Sequence, residues 1–86
     1  MKTETFGLLA LESTNVVMKL EKELLEKNLR VRVIPVPKEV TANCGLSIKF
    51  FLEEADLVRS CVEGNQVTGD YYKVTKTGLK KQVEKL

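Results

Sequence analysis

The chain has 86 residues, 30% charged and 43% hydrophobic, with a net charge of +2 and no histidine. That is one small domain with a compact core, and the slight positive charge does not mark a strong nucleic-acid binder. Two cysteines without histidine cannot complete a four-ligand soft zinc site in one chain, so no metal is expected, and nothing points to an organic cofactor. No apolar run approaches the length of a bilayer crossing, so no membrane partner is expected. Met1-Lys2-Thr3-Glu4 leads into a short apolar run broken by Glu12, too soon polar for a signal peptide. Both features point to the cytoplasm, where free thiols outnumber disulfides.

Thr5 to Leu11 is a continuous apolar run, too short for a helix, and reads as a buried strand. Ser13, Thr14 and Asn15 follow, all good helix N-caps. Val16 to Lys27 reads as a helix whose apolar stripe is Val17, Leu20 and Leu24, widened by Val16 and Leu25. Asn28 suits its end, because asparagine tolerates the left-handed conformation. Arg30 to Ile34 alternates basic and apolar, as a strand with one wet face does, and Pro35 and Pro37 end it. Leu46 to Phe50 alternates again. Leu52 to Glu63 reads as a second helix, with Leu57, Val58, Cys61 and Val62 on its apolar face and Gly64-Asn65 as its stop. Thr68 to Val74 is a fourth strand, with Tyr71 and Tyr72 on opposite faces. Residues 76–86 carry most of the basic excess and read as a charged tail, frayed or weakly helical, after a single domain over 1–75.

The order strand, helix, strand, strand, helix, strand predicts an α+β fold of the ferredoxin-like βαββαβ type. Its four-stranded antiparallel sheet would carry both helices on one face and leave the other open.

The two cysteines sit in different settings. Cys61, one turn after Leu57 and Val58, reads as core filling. Cys44 lies in the polar loop between the second and third strands, beside Thr41, Asn43 and Gly45, with Lys38 and the stiffening Pro37 upstream. Gly45 would permit close approach of a partner. Arg30, Arg32 and Lys49 on the flanking strands, or Lys38 in the loop, would lower the thiol pKa if they stood near the sulfur. A drop from about 8.5 to ~6.5 would raise the thiolate at pH 7 from about 3% to roughly three-quarters. Thr41 and Asn43 could donate hydrogen bonds to a bound anion or sulfur species, though both are ordinary turn residues. Ser13 and Thr14 could line a pocket at the helix N-terminus, their capping role being the simpler one. Tyr71 and Tyr72 do not make an RNA-stacking platform, since they point apart and the middle strands lack the aromatic signature of such domains.

The apolar first strand, Ser13-Thr14 opening a helix, Ile34-Pro35-Val36-Pro37, Cys44-Gly45-Leu46 and Tyr71-Tyr72-Lys73-Val74 together resemble the Se/S carrier protein-like family, over about Phe6 to Val74. The resemblance implies that Cys44 carries sulfur or selenium as a persulfide or selenopersulfide. It implies a cysteine desulfurase or selenocysteine lyase as donor, an acceptor enzyme downstream, and a carrier or co-substrate rather than a turnover enzyme. The chain does not match the sulfur-relay carriers of tRNA thiolation, whose cysteine precedes a proline at a helix start. The competing reading is a non-catalytic interaction or small-ligand regulatory module with a structural Cys44, and sheets of this kind also pair edge to edge into homodimers.

Overall fold

In the computed structural model, residues 3–38, 40 and 45–86 are described. They form five strands and two helices: β1 (Thr3–Ala10), α1 (Thr14–Glu26), β2 (Arg32–Pro35), β3 (Leu46–Phe50), α2 (Ala55–Gly64), β4 (Asp70–Thr77) and β5 (Lys80–Lys85). A 3-10 turn, Leu52–Glu54, leads into α2. The sheet is antiparallel throughout, in the order β2-β3-β1-β4-β5.

The four-strand expectation is corrected to five, because the charged end of the chain is a strand. Gly78 takes φ 60°, a left-handed turn position that glycine occupies without penalty, and folds Lys80–Lys85 back on β4. Val83 stands opposite Val74 and packs beside it, so one apolar residue anchors an otherwise charged strand.

The helices form where the apolar spacing places them. Val17, Leu20 and Leu24 of α1 and Val58, Cys61 and Val62 of α2 are buried together with Leu9, Leu11, Ile48 and Phe50 on one face of the sheet. Leu25 and Leu57, expected on those stripes, are instead 49% and 57% exposed. Asn28 ends the first helical segment with φ 64°, as its residue type suggests, and Gln66 does the same after α2 with φ 57°.

The second face of the sheet is not open at its centre, contrary to expectation. Phe6, Leu8, Ala10 and Val74 are buried there, and Val40 from the β2–β3 loop joins them at 6% exposure. β1 is therefore covered on both faces, the physical reason its sequence is continuously apolar rather than alternating. Tyr71 and Tyr72 divide between the two clusters, Tyr71 on the helix side and Tyr72 on the other, as the strand period requires.

Candidate functional site

The β2–β3 loop is tied down at its mouth and its middle. The ladder between the two strands ends with Pro35 opposite Leu46, and the Val36 N–H then donates to the Gly45 carbonyl at 3.0 Å. The Val40 N–H donates to the Pro37 carbonyl at 3.0 Å, closing a turn after the proline, while the Val40 side chain plugs the sheet face. Beneath the loop, the buried Ser47 hydroxyl donates to the Ile34 carbonyl at 3.2 Å and braces β2 on β3. Pro37 is half-buried and Lys38 is exposed. Gly45 is exposed, and among the described residues nothing stands within 4 Å of where its Cβ would lie. Thr41, Asn43 and Cys44 lie outside the described residues, bracketed by Val40 and Gly45.

Ser13 and Thr14 share the loop's end of the sheet. Ala10, the last residue of β1, stands opposite Ser47, and the chain reaches Ser13 three residues later. Ser13 holds the N-cap position of α1 with extended backbone, and its carbonyl accepts from the Val17 N–H at 3.1 Å. Its side chain makes no capping bond, so Ser13 occupies the N-cap position without the expected side-chain cap. The positive end of a 13-residue helix thus faces the end of the sheet where the loop opens.

Of the flanking cations, Arg30 and Lys49 stand toward the far end of the strands from the loop and in ion pairs of their own, while the Cys44 sulfur against which the expectation was set lies outside the described residues. Lys49 is four residues along β3 from Gly45, about 13 Å at strand rise. Its Nζ donates to Glu4 Oε1 at 2.9 Å and lies 4.4 Å from the Phe6 ring centre. This ion pair holds the Glu4 carboxyl below its ordinary pKa, first through the hydrogen bond and then through the charge itself. Arg30 donates to Glu53 at 2.7 Å, stands 3.7 Å from Glu54 and stacks on Phe51 at 4.1 Å. Arg32 stands opposite Lys49, three residues from the loop mouth.

Cys61 is a free thiol, 3% exposed, held between the helices. Its Sγ donates to Glu23 Oε2 at 3.6 Å, and the same oxygen accepts from Asn65 Nδ2 at 2.6 Å. Burial pushes the Cys61 thiol above its ordinary pKa, opposed by the Lys27 charge and reinforced by Glu23. Such a thiol stays protonated and unreactive, which agrees with its reading as core filling.

Among the described residues no cluster of three or more histidine, cysteine or carboxylate side chains is placed to hold a metal, and no helix is long and apolar enough to cross a membrane. Sequence reasoning missed Val40. Its signal was present: one apolar residue in an otherwise polar stretch, four positions before Cys44.

A family model described as "Putative Se/S carrier protein-like" matches residues 6–72, most of the chain and the whole β2–β3 loop within it. The chain belongs to this family. The match agrees with the resemblance drawn from Ile34-Pro35-Val36-Pro37 and Cys44-Gly45-Leu46, and it leaves β5 outside the matched span. No curated protein and no solved structure matches the chain. The Se/S carrier-like assignment therefore rests on the family match.

Proposed function

We propose that this protein carries sulfur or selenium on Cys44, on a ferredoxin-like βαββαβ frame extended by one hairpin strand. The observation that carries the reading is the Se/S carrier-like family match across the loop that holds Cys44. Three features of the chain support it. The loop is anchored at Val36, Val40 and Gly45, residues on either side of Cys44 in the chain. Gly45, the residue after Cys44, is exposed and has nothing within 4 Å of its Cβ position among the described residues, which suits approach by a partner enzyme. The second cysteine is buried and held protonated, leaving one thiol suited to exchange.

The transfer is a chalcogen exchange without net oxidation. A donor enzyme, a cysteine desulfurase or selenocysteine lyase, presents a persulfide or selenopersulfide. The Cys44 thiolate attacks its outer atom, a new S–S or S–Se bond forms on Cys44, and the donor's cysteine leaves as thiolate. An acceptor thiolate or nucleophile then attacks the outer atom on Cys44 and releases the carrier thiolate. Arg30 and Lys49 are held in ion pairs of their own, so a lowered Cys44 pKa would draw on other groups, Lys38 of the same loop among them.

Intact-mass measurement after incubation with a cysteine desulfurase and L-cysteine tests this. Wild-type and Cys61→Ser protein gain the mass of one sulfur, reversed by a reducing thiol, and Cys44→Ser does not. A Cys44→Ser protein that still gains the sulfur overturns the proposal.

A further inference from the structure

β3 stops at Phe50, opposite Gly7, and the chain leaves the sheet for the 3-10 turn. β1 reaches further, through Phe6, Thr5, Glu4 and Thr3, and is paired there with β4 on one side only. Among the described residues no strand pairs with its other side. Arg30 and Val31, the lead-in to β2, stand across the vacated lane, and between the two walls opens a cleft of about 360 Å³. Two strand spacings make the lane about 9.6 Å across, the room one further strand needs. Every second residue of Thr3–Phe6 turns its N–H and C=O into that lane, because antiparallel strands alternate the side on which they bond.

The charge of the walls is unequal. Arg30, Arg32 and Lys49 line the cleft against Glu4 alone. Lys49 is engaged by Glu4, and Arg30 by Glu53 and by Glu54, which also accepts from the Arg30 backbone N–H at 3.2 Å, but the exposed Arg32 has no ion pair or side-chain hydrogen bond among the described residues. Phe51, 42% exposed, adds an apolar wall.

We propose that this cleft binds an extended acidic peptide segment of a partner protein, seated in the lane that β3 vacates, with a carboxylate on Arg32. A main chain laid beside β1 satisfies the unused backbone groups of Thr3–Phe6, as in strand addition at a sheet edge, which a small anion could not do. The wall spans about 13 Å, the length of about four extended residues. The site lies at the opposite end of β3 from Gly45, and its occupation does not depend on Cys44 chemistry.

Titration of the 15N-labelled protein with acetyl-Glu-Val-Glu-Val-amide, followed by amide chemical shifts, tests the proposal. Saturable shifts are expected in Thr3–Phe6 and Arg30–Arg32, unchanged by Cys44→Ser. The neutral analogue acetyl-Gln-Val-Gln-Val-amide should bind at least about tenfold more weakly, and Arg32→Gln should weaken the acidic peptide by a similar factor. Because the Arg32 side chain is exposed and has no partner among the described residues, that variant should fold normally. No saturable shift, or equal binding of the neutral peptide, overturns the proposal. So does glutarate producing the same shifts at the same concentration, which would make this a small-anion site.

Discussion

Gly7 lies in mid-strand on β1, opposite Phe50, and the two residues fill one space. The Phe50 ring is 1% exposed and meets Tyr71 edge-on, with ring centres 6.4 Å apart. A methyl group on residue 7 would fall 2.8 Å from Phe50 Cδ2 and nearer still to Cε2 and Cζ. Carbon atoms rest at about 3.5–4.0 Å, so the ring must retreat by roughly an ångström into Tyr71 and the helix layer. Overpacking of this kind costs about 1–3 kcal/mol, and a rigid enclosed ring belongs at the upper end. Removing a flexible glycine from the unfolded chain returns about 0.5–1 kcal/mol. Gly7→Ala should therefore lose about 2 kcal/mol, a fall in Tm of about 8–16 °C. Urea and thermal unfolding followed by circular dichroism measure it. Phe50→Leu shortens the obstacle, so the double variant should lose less than the sum of the singles, with a coupling of about 1–2 kcal/mol. Gly7→Ala within about 0.5 kcal/mol of wild type, or strict additivity, would refute the packing argument.

Three further outcomes follow from the same contacts. Burial raises the Cys61 pKa, so above about pH 8.5 the unfolded chain gives up this proton first and stability falls as pH rises. Cys61→Ala should flatten the start of that alkaline decline in urea midpoints, leaving a later one from Tyr71, which burial also raises. The Lys49 pair lowers the Glu4 pKa, so its contribution is present above the ordinary carboxylate value of about 4.3 and is lost as pH falls through the folded one. Glu4→Gln should therefore unfold with a shallower acid dependence, and an unchanged acid limb would count against the pair. Ending the chain at Thr77 removes β5 and uncovers Val74, which should cost at least about 1.5 kcal/mol in urea unfolding, whereas a dispensable tail would leave the midpoint unmoved.

Elements with strong periodicity were legible in the sequence. Val17, Leu20 and Leu24 announced the buried stripe of α1, Leu46 to Phe50 announced β3, and Asn28 marked a left-handed stop. β5 was not legible, because Lys80, Lys81 and Lys85 offer no alternating apolar face and Val83 alone carries the packing. The covered second face was hidden for a related reason. Among the described residues Val40, supplied by a loop, is buried against it, and no local pattern records that contact. The family was legible in Ile34-Pro35-Val36-Pro37 and Cys44-Gly45-Leu46, but the placement of the flanking cations was not. Arg30 and Lys49 are close to the loop in sequence pattern, yet strand direction carries them to the other end of the sheet and into ion pairs.

If Cys44 is the residue that bears the transferred atom, a sulfur label must be found on its peptide. Trypsin separates the two thiols, cutting after Lys38 and Lys49 to give residues 39–49 and after Arg59 and Lys73 to give residues 60–73. Loading the full chain with a cysteine desulfurase and 35S-labelled cysteine, trapping by alkylation and mapping the peptides places the sulfur directly. An added sulfur on residues 39–49 and an unmodified Cys61 are expected. Label on residues 60–73, or a fully loaded donor that leaves both peptides unlabelled, would contradict that role of Cys44.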